Sequence, residues 1–212
     1  AIKLARFSHY REGRTAVCRI ALLGDHWPAG FAELSLNGTL GESVSEQKTV
    51  PASLELIPAV HTLSLQETIE LSDYQCLVVR IRDIVERGTV LTTKLRSFRS
   101  MPGRLLIVVS ETSDLNSNRL ASLGHVSPDV VVFDESFTGH QVPFGAFSAR
   151  SDLYTSWMKR GMSTFHSTTF QPNTISTAHF LKCLQQFAPH LIERLHDELE
   201  MLLLDQRLLR KS

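Results

Sequence analysis

No apolar run in the 212-residue chain approaches the roughly 20 residues that a membrane-crossing helix needs. Charge of one sign is missing too. The 22 lysines and arginines are balanced by 22 aspartates and glutamates, which removes the electrostatic footprint of a binder of nucleic acid or anionic membrane. Cysteine is scarce: Cys18, Cys76 and Cys183 are far apart, odd in number and form no C-x-x-C pair. Cys18 and Cys76 fall inside apolar strand-like runs, so buried thiols in a reducing, cytoplasmic setting are the expectation. No H-x-x-x-H or C-x-x-C spacing supports a metal site, and none is expected. His166, His179, His190 and His196 read as ordinary surface or hydrogen-bonded side chains. Neither a repeat of 20–50 residues nor a low-complexity block is present, which excludes solenoids and propellers.

What remains is a globular composition, 42% hydrophobic and 21% charged, with ample material for a core. "AIKLARF" has helical spacing but starts without an N-cap residue, and suggests a helix cut in its middle. "TAVCRIALLG" (15–24), "CLVVRIR" (76–82), "RLLIVVS" (104–110), "DVVVFD" (129–134) and "FGAFSAR" (144–150) read as strands. Between 36 and 73 the pattern is weak, with a short strand candidate at 54–57. "IVERGTVLTTKLRSFRS" reads as mostly helical, ending before Pro102-Gly103. Two further helices are expected at 174–187 and 189–210, the last with an apolar leucine face. Apolar strands separated by helices predict a three-layer αβα domain around a mostly parallel sheet.

Several stretches, in one order, resemble the large domain of class-III (fold-type I) pyridoxal-phosphate aminotransferases. "AIKLARFSHYREGRTAV" resembles the family's helix after its phosphate loop, and "GDHWPAG" stands where the family has an aromatic-His-Gly triplet. "LLIVVSETS" occupies the place of a strand ending in Asp-Glu. "SPDVVVFDESFTGHQVPFGAFSAR" resembles P-D-(apolar)₄-x-Lys with its following T-G-G-x-x-P-x-G-A. "FHSTTFQPNTISTAHFLKCL" resembles H-x-S-T-(aromatic)-x-x-N-P before a helix. The resemblance covers nearly the whole chain, as one domain over 1–212. It implies flanks missing before residue 1 and after residue 212, among them the family's small domain.

Position by position, the resemblance also implies a loss of chemistry. The lysine that holds the coenzyme as an imine corresponds to Glu135, and a carboxylate offers no amine. The aspartate that keeps the pyridine nitrogen protonated corresponds to Ser110, beside a retained Glu111; a hydroxyl supplies no charge to raise that nitrogen's pKa. The stacking aromatic corresponds to Asp25. His26 is kept, Trp27 replaces the glycine, and Arg80 replaces a strand-end glutamate. Thr169, which resembles the phosphate-binding threonine, and Asn173 survive. Two carboxylates about 5 Å apart would repel by roughly 3 kcal/mol at an effective dielectric near 20, an adverse setting for a dianionic coenzyme. No other lysine stands at a strand end: Lys94 and Lys182 fall on helices, and Lys3, Lys48, Lys159 and Lys211 on chain ends, turns or the weak region.

The expectation is therefore a catalytically degenerate, aminotransferase-like domain. It would serve as a dimerising or docking scaffold within a larger biosynthetic polypeptide, with no catalytic residue and no cofactor. The resemblance implies a homodimer. The alternatives are an enzyme with cofactor-independent chemistry in a remodelled cavity, where Asp25, His26, Glu135 and His140 converge, or an atypical aminotransferase that still uses the coenzyme. Trp27 and Phe31 are candidates to fill the vacated space.

Overall fold

The computed structural model describes residues 1–11, 18–24, 27, 60–65, 71–116, 119–157 and 174–187. They build one six-stranded sheet: β1 (Ile20–Leu23), β2 (Val60–Leu63), β3 (Cys76–Arg80), β4 (Leu105–Ser110), β5 (Val130–Phe133) and β6 (Ala146–Ala149). The order across the sheet is β2-β1-β3-β4-β5-β6. The first five strands are parallel, and β6 closes one edge antiparallel to β5. All side chains of β1 and β4 are buried, as they must be when helices cover both faces of a parallel sheet.

The pleat divides the core in two. Leu105, Ile107 and Val109 face the same way as Cys76 and Val78, under α1 (Ile2–Arg11) and Leu153 of α5 (Ser151–Trp157). Leu106 and Val108 face the other way with Leu77 and Val79. There they meet Ile84, Leu91, Leu95 and Phe98 of α2 (Ile81–Ser100), and Val126 of α4 (Leu123–Val126). This is the expected three-layer arrangement. A further short helix, α3 (Thr112–Asn116), follows β4, and α6 (Thr174–Phe187) packs on the 3-10 turn after β5.

Several boundaries differ from the sequence reading. The strand expected over 76–82 stops at Arg80, and Ile81 is already helical. That helix breaks at Gly88, whose φ of 56° and ψ of −135° interrupt the α conformation. β2 and α5 were not anticipated, and the polar stretch after β4 holds α3 and α4. The strand candidate at 54–57 and the helix at 189–210 lie outside the described residues. No helix among the described residues is long and apolar enough to cross a membrane.

Charge locks one end of the sheet. Asp129, 1% exposed, accepts the Leu106 N–H on Oδ2 at 2.9 Å. Its Oδ1 takes Arg99 Nη2 of α2 and Arg150 Nη1 after β6, each at 2.6 Å. Its own backbone N–H donates to the Leu106 carbonyl, and its carbonyl accepts from Arg150 N. One carboxylate thus joins β4, β5, β6 and α2. Burial pushes its pKa up, while the Leu106 N–H and the two guanidiniums pull it back.

Candidate functional site at the C-terminal edge of the sheet

Parallel strands deliver their C-terminal ends to one edge, where loops are free to carry chemistry. The residues at that edge are Gly24, Arg80, Ser110 with Glu111, and Asp134 with Glu135. Asp134 caps the 3-10 turn Glu135–Thr138: its Oδ1 accepts the Ser136 N–H at 2.9 Å and also the Ser136 hydroxyl. Ser136 Oγ accepts in turn from Thr112 N at 2.8 Å, so the end of β5 is tied to the start of α3. The Asp134 N–H donates to the Ser110 carbonyl at 3.3 Å. This carboxylate is spent on local structure.

Glu135, by contrast, is exposed, and its carbonyl rather than its carboxylate is what the turn uses, accepting from His140 N and from the Thr138 hydroxyl. His140 is exposed as well, in a left-handed conformation with φ 58°. Over this turn lies an aromatic cluster. Phe180 of α6 stacks on Phe144 with centroids 4.7 Å apart and meets Phe137 at 5.5 Å and Phe133 at 5.9 Å. Ser176, near the start of α6, donates to the Pro143 carbonyl at 2.6 Å. Cys183 of the same helix lies beside the Thr112 hydroxyl, and burial pushes its thiol pKa up.

Arg80, at the end of β3, and Arg82, in the first turn of α2, reach Glu111 Oε1 at 3.8 and 3.7 Å. The Arg80 guanidinium also sits 4.7 Å from the centre of the Trp27 ring, whose Nε1 donates to the Leu23 carbonyl at 3.1 Å. Trp27 therefore packs at this edge, under an arginine. Ser110 is 0% exposed, and its Oγ has no hydrogen-bond partner among the described residues. By the alternation of the pleat, Ser110 follows Leu106 and Val108 to the α2 face, while Arg80 follows Cys76 and Val78 to the α1 face. These two predicted site residues are not brought together. Glu111 and Arg80 are. Asp25, His26, Phe31, Thr169 and Asn173 lie outside the described residues. Lys94 and Lys182 are described, both exposed on helices.

Gly24 closes β1 with φ 113°, and a Cβ there would stand 2.9 Å from Asp83 Oδ2 in the first turn of α2. Burial raises the Asp83 pKa, against the pull of Arg82 and Arg80. Ser136, Thr112 and Asp83 were not singled out from sequence. The Asp-x-Ser spacing of 134–136 is the one local signal, since it is the pattern of a side-chain-capped turn. Among the described residues no three histidine, cysteine or acidic side chains are grouped to hold a metal ion.

No protein-family model and no curated protein sequence matches the chain. Solved structures do. An ornithine aminotransferase from Toxoplasma gondii aligns over 87% of this chain and 45% of its own, with 18% identity and a TM-score of 0.55. An ω-transaminase from Thermomicrobium roseum aligns over 92% and 48%, at 17% identity and 0.54. An adenosylmethionine-8-amino-7-oxononanoate aminotransferase from Methanocaldococcus jannaschii aligns over 94% and 50%, at 12% identity and 0.55. The chain has the large-domain fold of aminotransferases. It spans about half the length of the structures it matches.

Proposed function

We propose that this chain is a catalytically degenerate aminotransferase-like domain, spanning 1–212 of a longer polypeptide and acting as a dimerising or docking scaffold. The observation that carries the reading is Glu135: at the end of β5, where the resemblance requires an amine, an exposed carboxylate opens a short turn. The Toxoplasma gondii enzyme holds pyridoxal phosphate at its active site, in partial occupancy. The described residues of this chain fit that coenzyme badly. Ser110 offers a buried hydroxyl in place of a carboxylate, Glu111 is engaged by two arginines, and the Trp27 ring carries a guanidinium.

The test is to incubate the purified chain with pyridoxal phosphate, reduce it with borohydride, and map any pyridoxyl group by mass spectrometry. The expected result is no adduct on a unique lysine and no coenzyme absorbance after desalting. A stoichiometric adduct on one lysine overturns the reading. Sedimentation equilibrium then asks for a dimer at micromolar concentration, and a monomer there removes the dimerising role.

A further inference from the structure

A cavity of about 340 Å³ opens at the opposite edge of the sheet, where the strands begin. Its volume lies within the range of small-molecule sites, roughly 300–1,000 Å³. It is independent of the proposed function, since nothing at the Glu135 edge contributes to it. The lining divides by chemistry. Ala5 of α1, Cys18, Leu105 and Leu153 are buried apolar groups that form its inner wall. Among the described residues, Arg99, Arg104 and Arg150 bring three guanidiniums to the same cavity and Asp152 one carboxylate. Asp129 stands behind them, bonded to Arg99 and Arg150, so the charges of the described residues here are three positive and two negative.

The guanidiniums are also held in place. Arg99 and Arg150 are fixed on Asp129 Oδ1, and Arg150 makes a two-pronged contact with Asp152 at 2.8 Å on both nitrogens. Arg104 donates to the backbone carbonyls of Tyr74 and Ser72, with its guanidinium 5.7 Å from the Phe98 ring centre. A fixed fork loses little freedom when it binds an oxyanion, which favours recognition of a planar or tetrahedral anionic head. An apolar wall beside it asks for a hydrocarbon or aromatic body.

We propose that this cavity binds a small organic anion, its oxyanion head at the arginines and its apolar body against Cys18, Leu105 and Leu153. Four probes separate the parts of that statement: phenyl phosphate, benzoate, inorganic phosphate and benzyl alcohol, each titrated into the full chain by calorimetry. One of the two aromatic anions binds at one per chain and at least tenfold more tightly than both inorganic phosphate and benzyl alcohol. Which of the two it is names the head. In amide NMR spectra the same probe moves the signals of Ser8, Gly103, Arg104 and Leu153, and leaves those of Glu135 to His140 in place. Ser8→Phe, which fills the cavity from α1 without removing a charge, abolishes binding; Arg104→Gln weakens it about tenfold. Circular dichroism confirms that each variant is folded, and the NMR map on the unaltered chain stands even where a variant is not. The proposal is overturned by no binding of either anion at millimolar concentration, by equal binding of the neutral or the inorganic probe, by shifts at the Glu135 edge instead, or by full affinity in folded Ser8→Phe.

Discussion

Truncating Asp129 would strand Arg99 against a cavity wall, leave Arg150 held by Asp152, and leave the Leu106 N–H without its acceptor. Leaving the buried Leu106 N–H without its acceptor costs about 1–3 kcal/mol, while the two partly exposed guanidiniums recover part of their loss from water. Asp129→Ala is therefore expected to lower the urea unfolding free energy by that amount, and Asp152→Ala, at an exposed partner of Arg150, by much less. Ser110 is the opposite case. Its hydroxyl is buried without a partner among the described residues, so Ser110→Ala should be neutral or stabilising, by up to about 1 kcal/mol in the same measurement. A loss of stability there would mean that the hydroxyl has a partner not seen in the fold. The two residues also mark what the sequence revealed. The Pro-Asp before an apolar run located Asp129 within the resemblance, but nothing local announced that three elements would converge on it.

At the level of elements, strands with continuous apolar runs were readable because burial on both faces demands them, as in "LLIVVS" and "VVVF". β2, "VHTL", escaped notice: it is four residues long at a sheet edge and mixes polar with apolar side chains. The β3–α2 junction was misplaced because no breaker separates Arg80 from Ile81, and only tertiary packing stops the strand there. Gly88 hides inside a helical pattern, yet its backbone conformation belongs to glycine alone. Nothing lies within 4 Å of an added Cβ, so Gly88→Ala isolates backbone strain, expected to cost about 1–3 kcal/mol by thermal or urea unfolding. The start of the same helix carries a pH signature. Asp83 has a raised pKa in the fold, so the folded chain holds its proton more tightly than the unfolded chain does. Its contribution is present below the ordinary carboxylate pKa and fades as pH rises through the raised value. Unfolding midpoints followed across that window should fall with rising pH, and Asp83→Asn should flatten the fall.

Across the described residues, Ser110 is not grouped with the expected cavity positions Arg80 and Glu111. By the pleat Arg80, paired with Glu111, and Ser110 point to opposite faces, and Asp134 is absorbed into a turn; residue types alone do not announce either outcome. The cysteines were legible as a set. Cys18 and Cys76 are buried, Cys76 with its thiol pKa pushed well up by burial, and Cys183 is half-buried on α6. Alkylation of the native chain should modify Cys183 alone, slowly, and all three after unfolding. Early modification of Cys18 would mean that α1 opens readily from the sheet.

The Asp129 clamp and the Glu135 turn stand at opposite ends of one four-residue strand. The tip of that strand can change letter by letter while its root, moored to two arginines, keeps the frame upright.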